Sequence, residues 1–105
     1  TEEVQNVRTA TIAFNNYIAA EANRYSLALV DMYSYMGTLS SGLVYNGVKY
    51  NATYVSGGAF SLDAVHLTPR GYAIVANKII ESINSYYKSS VPYIDVNNYN
   101  GISFP

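Results

Sequence analysis

Apolar residues recur at three- and four-residue steps near both ends of the chain, and this spacing predicts two helices. In the first, residues 2–24, the repeating positions that share one face are Val4, Val7, Thr11, Phe14, Ile18, Ala22 and Tyr25. In the second, residues 69–88, Thr68 is suited to cap the helix and Pro69 to be its first residue. The core face predicted for this helix consists of Tyr72, Val75, Ala76, Ile79, Ile80, Ile83 and Tyr87.

A short apolar run at residues 27–32 follows the first helix and is bounded by polar residues. Such a run is typical of a strand that is buried on both faces, as in a parallel sheet. A helix followed by a buried strand is half of an α/β unit, so the predicted fold class is α/β.

Residues 37–61 are rich in glycine and serine and are predicted to form a long loop. Within it, Asn46 and Gly47 lie between aromatic and β-branched residues, a pattern that predicts a β-hairpin. Loops of this length in compact domains often carry function. Residues 91–105 are predicted to be a polar and aromatic tail with one short extended segment.

Composition narrows the class of protein. The chain has 105 residues, enough for one domain, and 50% of them are hydrophobic, enough for a core. The formal net charge of -1 argues against a nucleic-acid partner, which requires a basic surface. No apolar run approaches the roughly 20 residues of a transmembrane helix, so no such segment is predicted.

Residue usage also bears on compartment and chemistry. The chain has no cysteine, which excludes a disulfide scaffold, a thiol nucleophile and a zinc–thiolate site. The absence of cysteine and the abundance of tyrosine and asparagine suggest a secreted or periplasmic protein. Thr rather than Met at position 1 indicates a processed or truncated chain.

The residues best suited to chemistry are Asp63 and His66, the latter being the single histidine. They share a short turn between the glycine-rich loop and the second helix. There Asp63 can accept a hydrogen bond from His66 Nδ1, which fixes the tautomer and leaves Nε2 free to take a proton. Such a pair is two-thirds of a nucleophilic hydrolase triad.

The same spacing also fits a simpler alternative, in which Asp63 caps a local turn beside an incidental His66. A metal site is not expected, because one histidine and few aspartates supply too few ligands. No cofactor is expected either.

Residues 57–77 resemble the last conserved block of the SGNH (GDSL-like) hydrolases. That block is Asp-x-x-His, then an apolar residue or proline, Ser or Thr, two variable residues, Gly and an apolar or aromatic residue. The matching positions are Asp63, His66, Leu67, Thr68, Gly71 and Tyr72. The order of helix, strand, loop, Asp-x-x-His and C-terminal helix also fits, and the ending at residues 99–105 resembles Bacteroidetes-type members.

The resemblance implies a function and a fold. In this family the block supplies the catalytic Asp and His, so His66 would act as general base toward a serine and then as general acid toward the leaving alcohol. Asp63 would orient His66 and stabilise its imidazolium. The implied fold is a three-layer α/β/α sandwich with a mostly parallel sheet. The implied reaction is metal-free hydrolysis of esters in lipids, acetylated sugars or small acyl compounds.

Three neighbouring residues have plainer interpretations. We expect Gly71 to allow close packing at the start of the second helix and Tyr72 to lie in the core. We expect Arg70 to be a solvated charge on the helix surface.

The chain departs from the family in one large respect. It contains neither the Gly-Asp-Ser motif that carries the family's nucleophile nor the Gly-x-Ser-x-Gly elbow of other α/β hydrolases. We therefore expect residues 1–105 to be the C-terminal part of one SGNH-like domain, with the resemblance covering about residues 2–90. The isolated chain should be inactive, and its partner should be the missing N-terminal part or further copies of itself.

Two other hypotheses remain open. Under the first, the chain is a carbohydrate-binding or interaction module, in which a tyrosine-rich hairpin within residues 43–55 presents Tyr45 and Tyr50 to a sugar. Alternatively, it is a structural segment with no site at all.

Overall fold

A computed structural model describes residues 1–38, 41–45, 47–51, 53, 56–63 and 65–102. Its elements, in chain order, are helix α1 (Glu2–Arg24), helix α2 (Met32–Thr38), strand β1 (Leu43–Tyr45), strand β2 (Val48–Tyr50), helix α3 (Pro69–Tyr87) and a 3₁₀ helix (Val96–Asn98). This mixture of helices and a small sheet is compatible with part of an α/β domain.

Helix α1 has the bounds that the sequence predicts. Its first turn carries Glu2 and Glu3, whose negative charges interact favourably with the positive end of the helix dipole. It ends where Ser26 adopts a left-handed conformation, with φ of 53°, and the amide of Leu27 donates to the carbonyl of Ala22 at 2.8 Å. This bond satisfies a carbonyl of the last turn and redirects the chain away from the helix axis.

The strand predicted at residues 27–32 is not formed among the described residues. No described residue pairs with residues 27–31 as a strand, and Met32 already belongs to α2. Asp31 caps α2, because its Oδ1 accepts from the amide of Ser34 at 3.0 Å. A strand exists only through hydrogen bonds to a neighbouring strand, and the described chain offers this segment none.

The predicted hairpin is present and is small. Strands β1 and β2 pair antiparallel, with Leu43 opposite Tyr50 and Tyr45 opposite Val48. Gly47 has φ of 78°, as the predicted turn requires. Asn46, the other turn residue, lies outside the described residues.

Helix α3 begins as predicted. Thr68 is its N-cap, and the Thr68 hydroxyl accepts from the amide of Gly71 at 3.0 Å. Pro69 occupies the first helical turn, where its missing N–H costs nothing. The Thr68 hydroxyl also donates to the carbonyl of Gly58 at 2.9 Å, so the cap joins the helix to the preceding loop.

The buried core lies where α3 meets the hairpin, the loop and the tail. Its members are Tyr50, Ala59, Ala73, Ile74 and Val96. The 3₁₀ helix that carries Val96 replaces the extended segment predicted in the tail, whose last three residues lie outside the described residues.

One buried polar residue ties these parts together. The Asn77 amide nitrogen donates to Tyr45 Oη at 2.6 Å and to the carbonyl of Ile94 at 2.8 Å. Its side-chain oxygen accepts from the amide of Ile94 at 2.7 Å. Asn77 therefore joins α3 to the hairpin and to the tail, and satisfies the polar groups that burial would otherwise leave unpaired.

The apolar spacing predicted along the two long helices is present, but most of the side chains on the predicted faces are not buried. Helix α1 has no buried residue. In α3 the buried residues are Gly71, Ala73, Ile74 and Asn77, whereas Tyr72 is 53% exposed. The one described sheet has two strands of three residues, which is too small to cover two such helices.

The molecule exposes more surface than a closed domain of its size. Its accessible surface is 7326 Å², against about 5800 Å² expected for a folded monomer of 11.5 kDa. Its radius of gyration is 15.7 Å, against about 13 Å for a compact domain of this length. The exposed apolar side chains of the long helices contribute to this excess.

A glycine substitution tests the contact between α3 and the loop. A Cβ atom at Gly71 would overlap the carbonyl oxygen of Ala59, whereas one at Gly37 in α2 would meet nothing within 4 Å. We expect Gly71→Ala to lower the free energy of unfolding by about 1–3 kcal/mol, the usual cost of overpacking. Gly37→Ala is the control and should not destabilise the protein. Urea denaturation measures both, and equal midpoints for Gly71→Ala and the unsubstituted protein would contradict the contact.

Candidate active site

The Asp63–His66 turn is held at its base by a short antiparallel ladder. The amide of Ser61 donates to the carbonyl of His66 at 2.8 Å, and the amide of Thr68 donates to the carbonyl of Ala59 at 3.0 Å. Between them, Phe60 and Leu67 form a bridge. The turn is therefore anchored directly to the capped end of α3. Ala64, inside the turn, lies outside the described residues.

The Asp63 carboxylate organises the turn. Its Oδ1 accepts three hydrogen bonds, from Ser61 Oγ at 2.6 Å, from the amide of Val65 at 2.9 Å and from the amide of His66 at 2.9 Å. Its Oδ2 lies 2.6 Å from His66 Nδ1. The hydrogen bond that the sequence predicts between these two side chains is present. The capping role that the alternative gives to Asp63 is also present, because the same carboxylate accepts hydrogen bonds from the amides of Val65 and His66.

These contacts favour the ionised form of Asp63 and one tautomer of His66. The hydrogen bond from Ser61, followed by those from His66 and the two amides, holds the pKa of Asp63 far below its ordinary value. An ionised carboxylate only accepts hydrogen bonds, so Nδ1 of His66 carries the proton that it donates to Oδ2. In the neutral ring, Nε2 is then the basic nitrogen.

The pair lies open at the surface. The side chain of His66 is 71% exposed and that of Asp63 is 51% exposed. Nε2 has no hydrogen-bond partner within the described part of the chain. A proton donor from another segment or from a substrate can therefore reach it.

The tail lies against the start of α3, close in sequence to the turn. Arg70 Nε donates to the carbonyl of Tyr99 at 2.7 Å, and the Arg70 amide donates to the carbonyl of Asn100 at 3.1 Å. The expectation that Arg70 is a solvated charge on the helix surface is therefore met only in part, because its guanidinium donates to the carbonyl of Tyr99. The expectation that Gly71 allows close packing is confirmed by its contact with Ala59.

Two features of this region were not singled out from the sequence. Ser61 stands two residues before Asp63, at a distance typical of local Ser–Asp hydrogen bonds, and that spacing is a usable signal. The docking of Tyr99 and Asn100 on Arg70 has no local signal, because the partners are about thirty residues apart.

The described residues of the hairpin do not present both Tyr45 and Tyr50 to solvent, as the carbohydrate-binding hypothesis requires. Tyr50 is 1% exposed and belongs to the core. Tyr45 is half-buried and accepts a hydrogen bond from Asn77. A cleft of about 530 Å³ does lie beside the hairpin, but Asp63 and His66 are not among its lining residues, which are Tyr35, Leu43, Tyr45, Asn77, Lys78, Glu81 and Tyr93.

Among the described residues, no cluster of three or more His, Cys, Asp or Glu side chains is placed to hold a metal ion. Nor is any described helix both long enough and apolar enough to cross a membrane.

Comparison with known proteins gives the class. The family model of the GDSL-like Lipase/Acylhydrolase proteins matches residues 1–79, a span that includes Asp63 and His66. The chain belongs to this family. Membership indicates a hydrolase of the esterase or acylhydrolase kind, whose substrate is an ester. No curated protein and no solved structure gives a significant match to the chain.

The charge of Asp63 should make folding stability depend on pH. Its pKa is lowered from 3.8 on folding, so the stability it contributes is complete above about pH 4 and declines as the pH falls below that. Asp63→Asn should therefore be less stable than the unsubstituted protein at pH 7, and the difference should narrow in acid. Urea denaturation at several pH values measures this difference. Glu3→Gln, which removes an exposed carboxylate from α1, is the charge control. A difference that stays constant from pH 7 to pH 3 would contradict the assignment.

Proposed function

We propose that this chain supplies the acid–base half of a serine-dependent carboxylic ester hydrolase. The observation that carries the proposal is the 2.6 Å contact between Asp63 Oδ2 and His66 Nδ1, in a turn that leaves Nε2 exposed. Family membership supplies the reaction class. Asp63 orients the ring, and His66 moves the proton.

The proposed reaction follows from the tautomer. Nε2 of His66 takes the proton of a serine hydroxyl while the serine oxygen attacks the ester carbonyl. The resulting imidazolium is stabilised by the Asp63 carboxylate. Nε2 then gives the proton to the leaving alcohol, which departs and leaves an acyl-serine. A water molecule, activated by the same nitrogen, releases the acid and restores the serine.

The nucleophile is proposed to lie in a segment outside these 105 residues. The resemblance places the family's serine in a Gly-Asp-Ser motif, which this sequence does not contain. Ser61, the serine nearest to the pair in sequence, donates its hydroxyl to Asp63 and serves a different purpose. On this proposal, the 105 residues alone do not hydrolyse esters.

The uncovered surfaces suggest where that segment packs. Residues 27–31 have no strand partner among the described residues, and α1 and α3 carry exposed apolar faces. We propose that the remaining part of the domain pairs with residues 27–31 and covers both helices, completing a three-layer α/β/α sandwich. Burial of these apolar faces is the driving force.

Ester hydrolysis by the complete protein tests the catalytic proposal. We expect His66→Ala to reduce kcat/KM for a short-chain p-nitrophenyl ester by at least about 10³-fold, as removal of a triad member does. Initial rates at pH 8 give this value directly.

Tyr45→Phe is the matched control at the hairpin. It removes the hydroxyl that accepts from Asn77, outside the Asp63–His66 turn, and should leave hydrolysis nearly unchanged. If His66→Ala hydrolyses the ester as fast as the unsubstituted enzyme, the pair is not the acid–base machinery.

A further inference from the structure

The proposed mechanism uses Asp63 and His66 but leaves Ser61 unexplained. We infer that Ser61 is a positioning residue, whose hydroxyl holds Oδ1 of Asp63 so that Oδ2 faces His66 Nδ1. This inference rests on the proposed function and adds a third member to the same site.

The two oxygens of the Asp63 carboxylate have different environments. Oδ1 receives three donors and Oδ2 faces only the imidazole. Two of the Oδ1 donors, the amides of Val65 and His66, belong to the turn itself and move with it. The third, the hydroxyl of Ser61, comes from the opposite side of the ladder.

The position of Ser61 is fixed by its own backbone pairing, so its hydroxyl can hold the Asp63 carboxylate in place. Its amide donates to the carbonyl of His66 at 2.8 Å, so the backbone of Ser61 is paired with the residue whose ring must be oriented. Its side chain is half-buried, whereas Asp63 and His66 are exposed. The 2.6 Å hydroxyl–carboxylate bond is of the short, charge-assisted kind. Ser61 thus ties the carboxylate to the ladder, and through the ladder to α3.

The chemical consequence concerns the tautomer of His66. A partial rotation of the carboxylate about its Cβ–Cγ bond would turn its oxygen away from Nδ1 and weaken that hydrogen bond. A ring without that bond divides its proton between Nδ1 and Nε2, and only the Nδ1–H form has a basic Nε2. The same hydroxyl also stabilises the ionised carboxylate, since it is the first cause of the lowered pKa of Asp63.

The chain contains a matched control. In the cap of α2, Ser34 Oγ donates to Asp31 Oδ2, also at 2.6 Å. Ser34→Ala therefore breaks a hydrogen bond of the same kind and length at a place with no role in the proposed reaction. An effect seen in Ser61→Ala and not in Ser34→Ala belongs to the site.

The experiment compares Ser61→Ala, Ser61→Thr, Ser34→Ala and Asp63→Asn in the complete protein. We expect Ser61→Ala to lower kcat about ten-fold with KM unchanged, because a misplaced catalytic group slows the chemical step more than binding. Ser61→Thr keeps the hydroxyl and should recover most of the activity, and Ser34→Ala should match the unsubstituted enzyme. In ¹⁵N NMR spectra, the His66 resonances should show a smaller Nδ1–H fraction in Ser61→Ala and in Asp63→Asn than in Ser61→Thr and Ser34→Ala.

The outcomes separate the two proposals. Asp63→Asn as active as the unsubstituted enzyme would overturn the proposed function. An inactive Asp63→Asn together with a Ser61→Ala of normal kcat and normal tautomer would overturn only the role of Ser61. A loss of kcat of equal size in Ser61→Ala and Ser34→Ala would also overturn it, because the effect would then be one of general stability.

Discussion

The close approach between the first turn of α3 and the backbone at Gly58 and Ala59 is the constraint on which the rest of the structure depends. It requires a residue without a side chain at position 71, because a Cβ there would overlap the Ala59 carbonyl. Thr68 then bonds both sides of the contact, since its amide reaches Ala59 and its hydroxyl reaches Gly58 and Gly71. The core assembles around this contact, and the ladder that holds the Asp63–His66 turn extends from it.

Hydrogen bonds within the turn explain how an exposed pair is held in one geometry. Surface ion pairs usually contribute little because both side chains lose freedom to form them. Here Asp63 is held by bonds from Ser61 and from two amides of its own turn before it meets His66. The carboxylate is therefore oriented in advance, which is the condition for efficient proton transfer by a positioned group.

Local signals in the sequence predict local structure well. The helix bounds near Glu2, the cap at Thr68, the turn at Gly47 and the Asp63–His66 hydrogen bond all follow from residues within four positions of one another. Each depends on short-range geometry that the chain enforces by itself.

Predictions that depend on distant partners are the ones that the described residues do not fulfil. The run at residues 27–32 has the composition of a buried strand, but no described strand pairs with it, and Asp31 caps a helix instead. The apolar faces of α1 and α3 have the correct period without a sheet to cover them. The hydrogen bond of Arg70 and the burial of Val96 both arise because the tail packs against α3. The two segments are far apart in sequence, and no local pattern predicts that contact.

The central claim is that Asp63 and His66 activate a serine that lies outside these 105 residues. Treatment of the complete protein with a fluorophosphonate, followed by mass-spectrometric mapping of its peptides, tests this claim most directly. The account predicts one rapidly labelled serine, located outside residues 1–105, and labelling that is at least about 10³-fold slower in His66→Ala. Labelling that is equally fast without His66, or that falls on a serine within residues 1–105, would contradict it.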